Sequence, residues 1–181
     1  MEVLWEVLIA LALLGVVWVV WSFLQQIFPE ERNRKIKFGM KRGLDSIGVA
    51  ITCFCHDGAG GYLIAKRSQA ARDEQGTWHP LGGSVEFGED ILDTVRREVQ
   101  EEYSVLVSDI EYLGYRDVHR TLNGAPTHWL VLDFKGKVDR DLVRIGEPDM
   151  TDEIRWVALN EIPQPLHSQF PFYLDKYKGR L

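Results

Sequence analysis

The sequence predicts a domain of mixed strands around one strong helix, α/β or α+β, behind an apolar N-terminal segment. Three observations carry this expectation. Residues 1–28 hold 22 hydrophobic residues and only two charges, Glu2 and Glu6. Residues 89–103 set Ile91, Leu92, Val95, Val99 and Tyr103 on one side at helical spacing. Short apolar or β-branched runs alternate with turn signals on both sides of that helix. Of the 181 residues, the roughly 150 beyond the apolar segment suffice for one full core. Two large domains are excluded by length, disorder by a 45% hydrophobic content, and a disulfide framework by having two cysteines.

The first element is expected to be a membrane anchor. Residues 7–24 are an 18-residue run without a charge, interrupted only by Gly15 and Ser22, which Ile27 and Phe28 extend. That length reaches across a bilayer core as a helix. Its apolar residues cover every helical face, unlike an amphipathic surface helix. Acids at the start and bulky Trp21, Phe23 and Leu24 at the end do not fit a cleaved signal peptide. Trp5, Trp18 and Trp21 suit the two interfaces. A buried helix of the globular domain is the competing reading, but so small a domain rarely encloses such a run on all sides. Arg32, Arg34, Lys35, Lys37, Lys41 and Arg42 follow without an acid between them. By the positive-inside rule they stay in the cytoplasm. The expected organisation is an anchor at 1–28, a basic juxtamembrane linker at 29–43 and a cytoplasmic domain at 44–181.

Charge narrows what that domain binds. Residues 43–181 hold 15 Lys and Arg against 23 Asp and Glu, a net of -8. General nucleic-acid binding needs a basic face and is not expected. A phosphate ligand would arrive with a cation.

Within the domain, residues 47–56 read as a strand, closed by a turn at Asp57-Gly58-Ala59-Gly60-Gly61. Residues 62–66 are a second strand, 68–76 a polar loop or helix, and a short segment surrounds Trp78. Gly82-Gly83 is expected to break the chain. Residues 110–120 and 127–134 flank Asn123-Gly124, a hairpin signal. Residues 135–152 are polar and irregular, 154–158 a short strand and 168–177 a closing helix. Cys53 and Cys55 are two apart on the first strand, share a face, and read as small core residues or free thiols. His56, His79, His119, His128 and His167 are scattered singly, with no ordered Cys/His zinc pattern. No GxSxG elbow or GxxxxGK[ST] loop is present, so acyl transfer and P-loop chemistry lack support.

The chemistry lies on the central helix. With Glu98 at zero on a helical wheel, Glu101 falls near -60° and Glu102 near +40°, at ~100° per residue. Three carboxylates on one face repel by about 0.2–0.5 kcal/mol per neighbouring pair. A hard divalent cation such as Mg²⁺, held by carboxylates and substrate phosphates, gives that convergence a purpose.

The neighbouring residues make the pattern specific. From Gly83 the chain reads Gly83-x5-Glu89-x7-Arg97-Glu98-Val99-x-Glu101-Glu102-x-Ser104-Val105. This resembles the Nudix box, Gly-x5-Glu-x7-Arg-Glu-U-x-Glu-Glu-x-Gly-U with U apolar, at eight of nine specified positions. The resemblance implies an α/β/α sandwich around a mixed sheet and hydrolysis of a nucleoside diphosphate linked to another group. It implies Mg²⁺ (or Mn²⁺) on Glu98, Glu101 and Glu102, with Glu98 also a base for the attacking water. Arg97 would orient that glutamate, Glu89 would support the loop–helix unit, and Gly82 and Gly83 would let the backbone approach metal and phosphate. Arg67 matches a position facing the substrate in many members; a surface arginine is the competing reading. A second base in some members lies late in the domain, where Glu147, Asp149, Asp152 and Glu153 are candidates.

Two departures stand out. Ser104 replaces the final glycine of the box, just past the helix end, where a left-handed conformation is favoured. His79-Pro80-Leu81-Gly82-Gly83 lacks the proline that many members carry directly before the two glycines. Among substrate signals, Glu147-Pro148-Asp149 leading to Trp156 resembles members that cleave nucleoside triphosphates, and this leads. Ser168-Gln169-Phe170-Pro171-Phe172 resembles the motif of NADH-cleaving relatives, but lies over 60 residues past the box and reads as coincidence. Arg67-Ser68-x3-Arg72-x3-Gly76 resembles part of a coenzyme A subgroup motif without its ending. The expected reaction is a nucleoside triphosphate going to monophosphate and pyrophosphate. The alternatives are a nucleotide-sugar, coenzyme A or lipid-linked diphosphate, or a non-catalytic, membrane-tethered nucleotide-binding module.

Overall fold

The computed structural model describes residues 41–181. The expected anchor at 1–28 and the linker up to residue 40 lie outside the described residues. Among the described residues no helix is long and apolar enough to cross a membrane. They form one compact unit starting at Lys41. Its first residues are tied down: Gly43 O accepts the His128 N–H at 2.8 Å, and Arg42 Nη1 donates to Val85 O at 2.6 Å.

Seven strands, β1 (Gly48–His56), β2 (Tyr62–Arg67), β3 (Trp78–His79), β4 (Leu81–Ser84), β5 (Val107–Leu122), β6 (Ala125–Val138) and β7 (Thr151–Val157), form one mixed sheet. Two helices, α1 (Ile91–Tyr103) and α2 (Phe170–Tyr177), complete it. β1 is central. It runs parallel to β6 from Gly48↔Trp129 to His56↔Lys137, and antiparallel to β4 from Ala50↔Ser84 to Cys53↔Leu81. β2 pairs antiparallel with β1 at His56↔Tyr62 and with β3 and β7 further on.

Alternation along β1 and β2 builds a core on each face of the sheet. Cys53, Cys55, Leu63 and Ala65 join Val95, Val99 and Tyr103 of α1, while Phe54 and Ile64 join Phe170, Tyr173 and Tyr177 of α2. The sheet therefore lies between two helices, the expected sandwich. Cys53 and Cys55 are free and fully buried on the α1 face, as their spacing predicts.

Four local expectations change. Gly82-Gly83 does not break the chain, because β4 runs through it and pairs with β1. Leu92 turns outward, 45% exposed, so the buried stripe of α1 is Val95, Val99 and Tyr103. The hairpin strands extend to a two-residue turn in which Asn123 (φ 49°) and Gly124 (φ 80°) are both left-handed, the geometry of a type I′ turn. The run at 135–152 is not all irregular: β6 continues to Val138, opposite Val107.

Candidate active site

β4 and α1 form one structural unit, and Arg97 ties it together. Its Nε and Nη2 fork onto the two oxygens of Glu89 at 2.7 and 2.9 Å. Its Nη1 donates to Glu98 Oε1 and to Glu101 Oε2, both at 2.9 Å, and Nη2 also reaches Ser84 O on β4 at 3.2 Å. Such a planar fork fixes direction as well as charge, which a lysine could not do. Glu89 also accepts from Thr94 Oγ1 at 2.8 Å and from the Glu86 N–H at 3.2 Å. The Arg97 hydrogen bonds are the main reason that its carboxyl is pulled down to about 2. Glu89 thereby links the loop to the helix through Arg97, Thr94 and its own carboxylate.

Gly83 explains why this strand carries no side chain beside the helix. A Cβ there would lie 1.8 Å from Glu98 Cδ, so any larger residue would displace the carboxylate. The neighbouring Gly82 backbone N–H acts to lower the Glu102 carboxyl, against its burial. The three glutamates are graded in burial: Glu101 is 48% exposed at its side chain, Glu98 12%, and Glu102 is 8% exposed as a residue. Burial pushes the Glu98 carboxyl above the ordinary range, against the pull of Arg97. Burial, followed by the charges of Glu98 and Glu147, pushes Glu102 well above it.

Glu147 is the late carboxylate that joins this group. The Arg144 and Gly146 N–H groups donate to Tyr103 O at 3.0 Å and Glu102 O at 2.8 Å, satisfying carbonyls at the end of α1. A Cβ on Gly146 would lie 1.8 Å from Glu101 O, so only glycine lets the loop dock this closely. The next residue is Glu147, whose charge acts on both Glu98 and Glu102. Of the other three candidates, Glu153 pairs with Arg155 at 2.5 Å, while Asp149 and Asp152 are exposed, as Glu147 is; what sets Glu147 apart is that its charge acts on Glu98 and Glu102.

Crowded, partly desolvated carboxylate oxygens beside a backbone cradle fit a hard divalent cation, which takes oxygen ligands and relieves like-charge repulsion. Glu98, Glu101 and Glu102, with Glu147 close by, are the residues that would hold it. Ser104 meets the demand that its box position makes: it adopts φ 53°, ψ 30°, and its N–H donates to Gln100 O at 3.0 Å.

A cleft of about 190 Å³ opens beside Gly82, Gly83 and Ser84. It is smaller than the roughly 300–1,000 Å³ of pockets that enclose a whole ligand, so it suits part of a nucleotide. Arg67, Arg72, Arg116 and Arg120 all line it. Arg67 does face the cleft, but its guanidinium is also bound to Asp73 at 2.8 Å. Arg116 forks onto buried Asp133 at 2.8 Å for both bonds, and Arg120 bonds Asp73 at 2.9 Å and also Glu74. Arg72 makes no ion pair among the described residues, and its guanidinium lies 5.9 Å from the centroid of the Trp129 ring. His79 and His167 line the same space, and desolvation holds them down to about 3 and about 4, so both are neutral near pH 7.

The sequence did not single out Arg116, Arg120 or Trp129, nor any functional role for His167 and Gln169. A signal existed on β5, where Arg116, Val118 and Arg120 alternate and so share one face. The segment at 168–172, read as coincidence, supplies Gln169 and Phe170 to the cleft wall.

A family model described as NUDIX domain matches residues 47–176. The chain is 30% identical over 122 residues to putative nudix hydrolase 6 of Caenorhabditis elegans, covering 59% of this chain and 46% of that protein. It is 32% identical over 103 residues to the NAD-capped RNA hydrolase NudC of Pseudomonas aeruginosa, covering 56% and 34%. The chain thus spans less than half the length of these curated relatives. Among solved structures, the MutT NUDIX hydrolase of Burkholderia pseudomallei superposes with a TM-score of 0.64 at 27% identity, over 72% of this chain and 98% of that one.

Proposed function

The chain belongs to the NUDIX domain family, and from that premise we propose that it is a divalent-cation-dependent hydrolase of a nucleoside diphosphate-linked substrate. The observation that carries this reading is the pair of largely buried carboxylates Glu98 and Glu102, with the charge of Glu147 acting on both, Glu98 seated against Gly83, which lines an arginine-rich cleft. When bound, Mg²⁺ (or Mn²⁺) on Glu98, Glu101 and Glu102 would neutralise the diphosphate and stabilise the charge developing on phosphorus. Glu98, its carboxyl raised by burial, is suited to accept a proton from the attacking water. Arg97 positions Glu98 through the 2.9 Å bond from Nη1. Glu147 is the second proton acceptor. The backbone of Gly82 and Gly83 admits the phosphate chain, and Arg72 supplies a cation that no carboxylate among the described residues has claimed.

The substrate assigned is a nucleoside triphosphate. Water adds to a phosphorus of the chain, a P–O–P bond breaks, and a monophosphate and pyrophosphate leave. Support comes from the 147–156 segment and from the charge of Glu147 acting on Glu98. A dinucleotide diphosphate is a second reading, favoured by Gln169 and Phe170 lining the cleft from the segment that resembles an NADH-cleaving motif. The uncharged run at 7–24 and the basic collar at 32–42 support a reading in which the reaction occurs at the cytoplasmic face of a membrane. The test is a panel of nucleoside triphosphates, NAD and ADP-ribose with Mg²⁺, the products identified by phosphorus NMR. Pyrophosphate with a nucleoside monophosphate supports the first reading. Two monophosphates from NAD support the second, and no hydrolysis of any member contradicts both.

A further inference from the structure

The β5–β6 hairpin has two chemically different faces. On β5, Arg116, Val118 and Arg120 point into the cleft. Asp117 and His119 alternate with them and so occupy the opposite, outer face. His128 on β6 is registered directly across from His119, which places it on that face too. Three side chains that look unrelated in sequence are thereby gathered on one exposed patch. The two imidazole rings stack with centroids 4.1 Å apart and planes 28° apart, and His128 Nε2 lies 2.8 Å from Asp117 Oδ1.

Donor atoms of Asp117, His119 and His128 all lie within 4.8 Å of one another. Among the described residues no other group of three His, Cys, Asp or Glu side chains meets that spacing. The box glutamates do not meet that spacing. A tetrahedral ion bound at about 2.0–2.1 Å needs its ligand atoms about 3.4 Å apart. Asp117 and His128 are already inside that distance, and exposed His119 has room to close the remainder by rotation about its side-chain bonds.

We propose that Asp117, His119 and His128 form a second metal site, on the outer face of the hairpin, for a borderline cation of the Zn²⁺ class. Imidazole nitrogen suits Zn²⁺, Ni²⁺ and Cu²⁺, whereas the all-oxygen set near α1 suits Mg²⁺ or Mn²⁺. The two sites are therefore told apart by donor chemistry. Two His and one carboxylate leave a fourth position for water. An ion here cross-links β5 to β6 directly behind Val118 and Trp129, the registered pair that lines the cleft.

The test is calorimetric titration of ZnCl₂ into the 181-residue chain, free of any polyhistidine tag, with Mg²⁺ saturating. The expected result is one zinc equivalent, retained by Glu98→Gln and weakened at least about tenfold in the double variant His119→Ala, His128→Ala, as loss of two ligands should do at minimum. In ¹⁵N-resolved imidazole spectra, the signals of His119 and His128 should shift together as zinc is added. Absence of zinc binding by the wild type overturns the proposal. So does an affinity in the double variant within tenfold of wild type, or movement of neither imidazole. Because zinc is measured without substrate, failure here leaves the hydrolase reading intact, and the reverse holds too.

Discussion

Gly83, Arg97 and Ser104 each answer a demand set by a neighbour. Gly83 makes room for Glu98, and Arg97 aims it. Ser104 holds a left-handed conformation that costs an L-residue roughly 1–2 kcal/mol relative to glycine. Ser104→Gly is thus expected to stabilise the domain by about 1 kcal/mol, once the greater freedom of unfolded glycine is subtracted. A thermal melt should show Tm rising by about 3 °C. His79 makes the pH prediction. Its ring is near 3 in the folded chain against an ordinary value near 6.5. Between those values the unfolded state binds more protons, so stability falls as pH drops through that window and is fully present above about 6.5. His79→Asn keeps a donor for Pro80 O, which Nδ1 contacts at 2.6 Å. Urea midpoints at several pH values should show a smaller loss on acidification for the variant than for wild type.

At the scale of elements, α1 was the most legible. A 3.6-residue period shows in any sequence, so the face bearing Glu98, Glu101 and Glu102 could be drawn before the fold. What the period does not report is burial at the helix ends, and Leu92 was misplaced for that reason. Gly82-Gly83 read as a break because glycine marks turns; in β4 it marks the close approach of a helix. The loop carrying Glu147 was legible only as four equal acids, since its docking depends on carbonyls at the end of α1 that no local pattern records. That docking is testable. Gly146→Ala forces a Cβ against Glu101 O and should cost about 1–3 kcal/mol, as overpacking does. Glu147→Gln should leave Tm unchanged, and both variants should lower turnover. Equal melts for Gly146→Ala and wild type would contradict the close fit.

For the whole molecule, charge and topology act together. A net charge of -8 over residues 43–181 would repel a phosphate chain, yet four arginines line one cleft and the acids gather where a cation would sit. Mixed strands around one strong helix were readable from the pattern, and the sandwich from the resemblance to the Nudix box. The cleft wall was not, because Arg120, Trp129 and Gln169 come from distant segments that only the sheet order assembles. The proposed anchor predicts that the full chain floats with liposomes in a density gradient while a chain lacking residues 1–28 stays behind. Equal flotation would remove the membrane assignment without touching the chemistry. The central claim is that Glu98 serves a cation-dependent hydrolysis, and its most direct test is Mg²⁺-dependent turnover of Glu98→Gln on the best substrate of the panel. The account predicts a fall of about 10²–10⁴ in kcat with an unchanged circular dichroism spectrum. Full activity in that folded variant would contradict it.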